Sequence, residues 1–283
     1  MEPDTMKKEC FFVIPAGGAG TRMKSAVPKL LLEIDGKPVI IRTLDAVTDF
    51  LKDFETSLIA ISASDDMKAA FKQLLVPLPS SEFLSEKFSF ADERDEFLIA
   101  SYNGIPVIAA GSGDNRTSSV AKAVDALTKA GNIFPNVSLN PDSPVIIHDG
   151  ARCLVCKDEF EGVYSGILAT GICAACVPVK STLKFAEQKD DGILIATSTP
   201  DRASLREVLT PQGFKYKLLE QCYSYAETSK VSVTDDTALA EILNLPVQLS
   251  EGRYSNIKIT TPEDIVFAES ILKEREEQIS TDA

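Results

Sequence analysis

The chain has 283 residues, and its hydrophobic (44%) and charged (25%) fractions are those of ordinary globular proteins, which argues against disorder. Its formal net charge of −13 disfavours nucleic acids and anionic membranes as partners, and no apolar run is long enough for a transmembrane helix. A phosphate-rich ligand must then meet a local cluster of cations, so the Lys and Arg residues of special loops are informative. The length allows one large α/β domain or two small ones, and we interpret residues 1–283 as a single domain.

The N-terminus and the cysteines bear on the compartment. Met1 to Glu9 is polar and of mixed charge, which is typical of neither a signal peptide nor an Arg-rich transit peptide. The six cysteines are therefore expected to be reduced thiols of a cytoplasmic protein. The pairs Cys153-x₂-Cys156 and Cys173-x₂-Cys176 also fit the spacing of a zinc ribbon. The second pair lies on a predicted strand, where an offset of three points the thiols to opposite faces, so we interpret these cysteines as small buried side chains.

Strand-like and helix-like segments alternate along the chain. The predicted strands are Cys10–Ile14, Ser57–Ser62, Ile105–Ala109, Val145–His148, Ile172–Val179 and Ile257–Ile259. The predicted helices begin at Pro38, at about Thr117 (ending at Gly131), and at Pro262, where Thr261 is the cap and Asp264 completes a capping box. This alternation predicts a Rossmann-like three-layer α/β sandwich around a mainly parallel sheet. Ligands of such sheets bind at the carboxyl ends of strands, so a site is expected in the loops that follow strands.

Two segments depart from this alternation. Residues 78–104 are rich in Ser, Phe and Glu and have no clean period, which predicts a surface insertion. Residues 181–201 contain the turn Asp190-Asp191-Gly192, which predicts a protruding β-hairpin arm. Because an isolated hairpin is marginally stable in water, the arm is expected to pack on a second subunit of a homodimer.

The first predicted strand leads into a glycine-rich loop. The loop reads Ile14-Pro15-Ala16-Gly17-Gly18-Ala19-Gly20-Thr21-Arg22-Met23 and is followed by Val27-Pro28-Lys29. Small residues let backbone N–H groups approach phosphate oxygens closely. It is not a Walker loop, because Gly-Lys-Ser/Thr is missing, and Met23 replaces the third glycine of a dinucleotide fingerprint. Arg22 and Lys29 instead supply two cations suited to a triphosphate and its transition state, the alternative being a turn with surface cations.

Two further loops carry polar groups behind predicted strands. Asp149 follows an apolar strand, and a single carboxylate in the ligand cleft suits Mg²⁺, which also draws on phosphates and water; the alternative role is a helix cap. His148 is the only histidine, cannot build a metal site alone, and is interpreted as structural. The run Gly113–Ser119 offers backbone and hydroxyl groups suited to a pyrimidine edge. It can at the same time be a helix N-terminus that is capped by Asn115 or Thr117.

Taken in order, these motifs resemble the 2-C-methyl-D-erythritol 4-phosphate cytidylyltransferases from about Phe11 to Leu272, apart from 78–104. The motifs are the loop with Arg22 and Lys29, Gly111–Val120, His148–Arg152, Asp201-Arg202, Leu209–Gln212, Val233–Asp236 and Asn256–Thr260. Their order and spacing together are specific, although no single motif is. The resemblance implies a nucleotidyltransferase that transfers CMP from CTP to 2-C-methyl-D-erythritol 4-phosphate, with Mg²⁺ as cofactor and release of pyrophosphate, in non-mevalonate isoprenoid precursor synthesis.

The resemblance also implies roles for individual residues. Arg22 and Lys29 are the catalytic residues, and Asp149 is the metal ligand. The nucleotide-binding residues are Ala16, Gly17, Gly18, Gly113, Asp114, Ser119 and Lys258. The acceptor-binding residues are Arg152, Thr182, Arg202 and Thr234, with Lys258 also near the acceptor phosphate. Arg202 is expected to act in the partner's site of the homodimer, and Thr234 has a competing role as a helix cap.

Two departures from the family pattern leave the charged residues in place. Cys153 follows Arg152 where the family commonly has Pro, and Ala16-Gly17-Gly18 replaces Ala-Ala-Gly. Two alternative functions stay open at this point. Closely similar enzymes use ribitol 5-phosphate as acceptor, and a nucleotide-binding regulator of the same fold would bind without turnover. The presence of the charged residues favours an enzyme over a regulator.

Overall fold

A computed structural model describes residues 8–17, 27–77 and 97–282. The strands are β1 (Glu9–Ala16), β2 (Glu33–Ile34), β3 (Lys37–Pro38), β4 (Thr56–Ala63), β5 (Val76–Pro77), β6 (Phe97–Tyr102), β7 (Ile105–Gly111), β8 (Pro144–Ile147), β9 (Ile172–Pro178), β10 (Phe185–Gln188), β11 (Leu194–Ser198), β12 (Arg206–Lys215) and β13 (Gln248–Glu251). The α-helices are α1 (Val39–Leu51), α2 (Asp65–Leu74), α3 (Arg116–Lys129), α4 (Lys157–Thr170), α5 (Tyr216–Ser229), α6 (Thr237–Ile242) and α7 (Pro262–Asp282). Within these residues, no helix is both long and apolar enough to cross a membrane.

The centre of the described structure is a nine-stranded sheet in the order β13-β9-β12-β8-β1-β4-β7-β6-β5. The strands β8, β1, β4 and β7 are parallel neighbours, as are β13 and β9. Only β12 and β6 of these nine strands run in the opposite direction. The prediction of a mainly parallel α/β sheet is therefore confirmed.

Alternating side chains on β1 build a core on each face of the sheet. Phe12 and Ile14 belong to the core that includes buried residues of α1, α4 and α7. Phe11 and Val13 belong to the core that includes α3, α5 and α6. Each such side chain contributes about 1.5–3 kcal/mol by leaving water. A central strand that is apolar on both sides is what a sheet covered by two helical layers requires.

The three predicted helices are present, with starts set by local capping. Pro38 is the residue before α1 rather than its first residue. Helix α3 starts at Arg116, and the Asn115 side chain accepts a hydrogen bond from the Ser118 backbone N–H (2.9 Å). At α7, the Asp264 carboxylate accepts a bond from the Thr261 N–H (2.8 Å), as the predicted capping box requires.

The predicted strand Ile257–Ile259 is wrong. This segment is an irregular connection between β13 and α7, held at Ile259 by a hydrogen bond from its N–H to the Ala151 carbonyl (2.8 Å). The apolar alternation reflects burial of Ile259 in the core rather than pairing with a neighbouring strand. The sheet instead contains β6, β12 and β13, to which no predicted strand corresponds.

The two irregular segments have different outcomes. The hairpin prediction is confirmed, because β10 and β11 pair antiparallel and Gly192, at φ 83°, lies in the turn between them. Residues 181–199 are all exposed. The predicted insertion is not irregular throughout, since its end forms β6, which pairs with β7 at the side of the sheet, while residues 78–96 lie outside the described residues.

All six cysteines are free thiols, and five of them are buried. Cys173 packs so closely against α4 that a side-chain carbon on Gly166 would overlap it. Among the described residues, one group of three side chains brings possible metal-ligand atoms close together, namely Cys156, Asp158 and Glu159. The other three cysteines of the zinc-ribbon spacing do not belong to this group. The structure therefore does not assemble the four thiols of that alternative.

Candidate active site

Asp149 lies at the carboxyl end of the central sheet, in the position that the strand pattern predicts. The backbone of His148 continues the pairing of β8 with β1 by donating to the Val13 carbonyl (2.9 Å). The next residue, Asp149, leaves the ladder, and its backbone N–H donates to Thr210 Oγ1 (3.1 Å). Its side chain is 9% exposed. No helix begins there, since α4 starts at Lys157, so the helix-cap alternative for Asp149 is wrong.

Three cations surround the Asp149 carboxylate. Lys258 Nζ is 2.7 Å from Oδ2, Arg116 Nη2 is 3.3 Å from Oδ1, and Arg152 Nε is 3.9 Å from Oδ2. Burial by itself raises the pKa of Asp149, but Arg116, Lys258 and Arg152 outweigh burial and hold that pKa well below its usual range. The site thus contains a buried carboxylate that stays ionised at neutral pH.

His148 organises the loop that carries Asp149 and Arg152. Its Nε2 is 3.0 Å from the Arg152 carbonyl oxygen, and its Nδ1 is 3.1 Å from Thr210 Oγ1. Because a carbonyl only accepts, Nε2 carries the proton, and Nδ1 accepts from the Thr210 hydroxyl. Burial lowers the pKa of His148 to about 4, so the ring is neutral at pH 7. This arrangement agrees with the structural role expected for His148.

The loop of Arg152 contacts the loop of Lys258. Arg152 Nη1 donates to the Asn256 carbonyl (2.7 Å), two residues before Lys258. The Asn256 side chain is buried and donates to the Thr210 carbonyl (2.9 Å). Arg152 Nε is buried and makes no hydrogen bond within the described residues. Three motifs that are distant in sequence therefore meet around Asp149.

The glycine-rich loop and the loop of Gly113 are also adjacent. Gly17 lies against Ser112 so closely that any side chain at position 17 would overlap it. The Gly113 N–H donates to Ser119 Oγ (3.0 Å), and that hydroxyl donates to the Asn115 carbonyl (2.8 Å). Ala16 at the end of β1 is buried, whereas Asp114 is exposed. The described residues of the predicted nucleotide site in these two loops, Ala16, Gly17, Gly113, Asp114 and Ser119, thus share one edge of the sheet.

Sequence reasoning missed an ion-pair network beneath the site. Arg116 donates to both oxygens of Asp236 (2.6 and 2.7 Å), a carboxylate with no exposed surface. The Tyr223 hydroxyl donates to the same carboxylate, and Gln212 Oε1 accepts from the Asp236 N–H (2.9 Å). The sequence did show Arg116 in one motif and the pair Asp235-Asp236 in another, but nothing in the sequence indicates that Arg116 and Asp236 form an ion pair.

Within the described structure, no hydrogen bond or ion pair joins Asp149 to the remaining predicted acceptor residues, Thr182, Arg202 and Thr234. Thr234 is exposed, and its capping alternative is wrong, because Asp236 holds the N-cap position and Asp235 Oδ1 accepts from the Thr237 N–H (3.0 Å). Thr182 is exposed on the arm, and Arg202 at its base donates to the Lys180 carbonyl (2.8 Å). Within the described part of the chain, neither Thr182 nor Arg202 contacts Asp149.

Two of the predicted site residues, Gly18 and Arg22, lie in the range 18–26, outside the described residues. Lys29 is described; it begins a short 3₁₀ turn, Lys29–Leu31, and is half-buried.

The family was decided by comparison with known proteins. The family model for 2-C-methyl-D-erythritol 4-phosphate cytidylyltransferase matches residues 10–274. The chain belongs to this family. A cytidylyltransferase of this name from Trichormus variabilis is 35% identical over 94% of this chain and 99% of its own, and one from a Synechococcus species is 36% identical over 93% and 97%.

Solved structures of family members share the fold. A 4-diphosphocytidyl-2C-methyl-D-erythritol synthase from Anaerococcus prevotii superposes with a TM-score of 0.66 at 26% identity, covering 94% of this chain and 99% of that one. The cytidylyltransferase from Thermus thermophilus gives 0.61 at 25% identity, covering 95% and 100%. The chain is accordingly a nucleotidyltransferase enzyme of this cytidylyltransferase family.

Proposed function

We propose that this chain transfers CMP from CTP to 2-C-methyl-D-erythritol 4-phosphate and releases pyrophosphate, in non-mevalonate isoprenoid precursor synthesis. The observation that carries the proposal is the ionised Asp149 carboxylate, buried among Arg116, Arg152 and Lys258 at the carboxyl end of β8. This cluster concentrates cations within a protein of net charge −13. Such a local excess is what a reaction between two phosphate-bearing substrates requires.

The nucleotide is proposed to bind across the two loops at this edge. We assign Ala16, Gly17 and Gly18 to the phosphates, and Gly113, Asp114 and Ser119 to the base. The close contact of Gly17 with Ser112 supports this placement, because it brings the two loops together without bulky side chains. Lys258, whose Nζ lies 2.7 Å from Asp149 Oδ2, is assigned to the phosphates.

The proposed chemistry is an in-line displacement. An acceptor phosphate oxygen forms a bond to the α-phosphorus of CTP, the bond to the bridging oxygen breaks, and pyrophosphate leaves with that electron pair. A phosphate monoester has its second pKa near 6, so the nucleophile is already anionic at neutral pH and needs no protein base. Catalysis is then positioning and charge neutralisation, which we assign to Arg22 and Lys29.

Asp149 is the residue that would hold Mg²⁺. Its carboxylate is buried and ionised, and Mg²⁺ in such enzymes relies on one or two carboxylates together with phosphates and water. When bound, the ion supplies positive charge to the triphosphate.

The acceptor phosphate is assigned to Arg152, Thr182, Thr234 and an Arg202 from a second copy of the chain. The exposed side chains of Phe185 (61%) and Leu194 (69%) on the arm support a homodimer, since they gain from burial against another surface. Arg202 contacts its own arm and not its own Asp149 within the described structure, which supports a role in trans. The six reduced thiols support the cytoplasm as the compartment.

The test is a pyrophosphate-release assay of the purified chain. CTP with 2-C-methyl-D-erythritol 4-phosphate and Mg²⁺ should give rapid release, whereas ATP, GTP and UTP should give little. Faster release with ribitol 5-phosphate would assign the alternative acceptor. Binding of CTP without release for any polyol phosphate would indicate a nucleotide-binding regulator and contradict the proposed activity.

A further inference from the structure

The Arg116 guanidinium bridges two buried carboxylates, those of Asp149 and Asp236. Nη1 and Nη2 form a fork onto the two oxygens of Asp236 (2.6 and 2.7 Å), and Nη2 also donates to Asp149 Oδ1 (3.3 Å). The Arg116 side chain is 20% exposed, while those of Asp236 and Asp149 are 0% and 9% exposed. A planar fork of this kind fixes direction as well as charge, which a lysine ammonium cannot do.

Asp236 gives the guanidinium a rigid anchor. Its carboxylate also accepts from the Tyr223 hydroxyl, and its backbone N–H is bonded to the buried Gln212 side chain (2.9 Å). Burial by itself lowers the pKa of Arg116, but the carboxylates of Asp236 and Asp149 outweigh burial and raise that pKa above its usual range. The guanidinium therefore stays charged. The two hydrogen bonds to Asp236 therefore fix the orientation of the Arg116 guanidinium plane without any bound ligand.

Each oxygen of the Asp149 carboxylate has a cationic partner. Arg116 approaches Oδ1, and Lys258 approaches Oδ2 at 2.7 Å. If Arg116 is removed, Oδ1 loses its charged partner, and the carboxylate is free to turn toward Lys258 and Arg152.

Arg116 is also the first residue of α3, next to the loop that we assign to the base. Asn115 caps the helix, and Ser119 on its first turn bonds back to the Gly113 N–H (3.0 Å). A shift of this loop must therefore move the start of the Arg116 side chain.

We infer that Arg116 is a positioning residue, which fixes the Asp149 carboxylate and links its orientation to the nucleotide-base loop. This inference rests on the proposed cytidylyl transfer. Its role differs from those of Arg22 and Lys29, since Arg116 acts through Asp149 and not on the reacting phosphorus.

The first test compares Arg116→Lys with the wild type in the pyrophosphate-release assay. The variant keeps the positive charge and loses the two-pronged hydrogen bond to Asp236. The value of kcat should therefore fall about 10- to 100-fold, which is the range for residues that orient a ligand residue without touching the substrate, while KM for CTP changes much less. The matched control is Arg42→Lys, because Arg42 is similarly buried (15% exposed) but donates to the Ile34 carbonyl. The control should keep wild-type kcat. Wild-type kcat in Arg116→Lys would overturn the inference.

A double variant separates positioning from simple charge balance. Arg116→Met alone leaves Asp236 buried and unpaired, and is expected to lower the melting temperature. Adding Asp236→Asn removes that charge and should recover much of the melting temperature, while kcat stays low because Asp149 still lacks its partner. Recovery of kcat together with stability would reduce Arg116 to a structural counter-ion. Absence of pyrophosphate release by the wild type itself would instead reject the proposed function.

Discussion

Burial and charge oppose each other at adjacent residues of this site. Burial disfavours the charged form of both Asp149 and His148. At Asp149 the three surrounding cations win, and the carboxylate stays ionised. At His148 the hydrogen-bond partners are a carbonyl and a hydroxyl, so burial wins and the ring stays neutral. Two neighbouring side chains thus hold different charge states because their contacts differ.

His148 should make stability depend on pH in a defined window. The unfolded residue titrates near 6.5 and the folded one at about 4, so between these values only the unfolded state binds the proton. The free energy of unfolding is therefore fully retained above pH 6.5 and falls as the pH drops toward 4. Lowering the pH from 7 to 5 should cost about 2 kcal/mol. Urea unfolding at pH 7, 6 and 5 in EDTA measures this loss.

The control for that measurement is His148→Gln, which removes the only histidine of the chain. Its free energy of unfolding should be lower overall and nearly flat between pH 7 and pH 5.5, above the range of ordinary carboxylates. A wild-type slope in this variant would show that another group is responsible.

Lys29→Ala and Arg22→Ala should lower kcat on the order of 10²-fold or more, with a much smaller change in KM for CTP. Both residues are assigned to charge that grows in the transition state, so their loss weakens that state more than the bound substrate. Lys37→Ala is the matched control, since Lys37 is a nearby exposed lysine that pairs with Asp45. Near-normal kcat in either variant would remove that residue from its assigned role.

At the scale of elements, the two irregular segments differ in how they join the sheet. β6 is paired along its length with β7, and the Tyr102 hydroxyl donates to Asp45 on α1 (2.7 Å). Among the described residues, β10 and β11 pair only with each other and are exposed throughout, so the arm lacks such support there. The end of the predicted insertion is therefore part of the body, whereas the arm extends from it.

Replacing residues 80–94 by a short Gly-Ser linker should leave the fold and the activity largely intact. The entropy of closing a loop changes slowly with its length, so a shorter connection between β5 and β6 costs little. Thermal melting and the pyrophosphate-release assay measure the outcome. Extending the deletion through Tyr102 removes β6 and should lower the melting temperature strongly. A collapse of the melting transition with the shorter deletion would show that residues 80–94 are needed for the core.

At the scale of the whole molecule, Arg202 at the base of the arm does not contact the Asp149 cluster of its own chain within the described residues. Arg202 bonds to Lys180 at the base of the arm, and the cations that contact Asp149 are Arg116, Arg152 and Lys258. A two-fold dimer that crosses the arms offers Arg202 a route to the partner's acceptor phosphate.

Subunit complementation tests this arrangement. Arg202→Ala and Lys29→Ala chains, each inactive alone, are mixed under conditions that exchange subunits. If Arg202 acts in trans, each heterodimer has one site with both defects and one with neither, so activity should return to about half of wild type per heterodimer. No recovery despite verified exchange would reject the shared site and leave the cytidylyltransferase assignment intact.

The sequence by itself determined the features that depend on neighbouring residues. The central strands, the caps of α3 and α7, the turn at Gly192 and the position of Asp149 follow from local periodicity and turn chemistry. The order and spacing of the motifs, which the sequence also records, carried the family resemblance. Each of these features needs only residues a few positions apart, and for that reason a linear pattern records it.

The tertiary structure alone decided which distant groups meet. Arg116 and Asp236 are 120 positions apart, and neither the fork between them nor its extension to Asp149 follows from any spacing. The same holds for β12 and β13, which join the sheet through non-local pairing, and for Ile257–Ile259, whose strand-like pattern finds no neighbouring strand. Pairing of strands and buried ions is a property of packing in three dimensions. It was settled here only when the chain brought these side chains to one edge of the sheet.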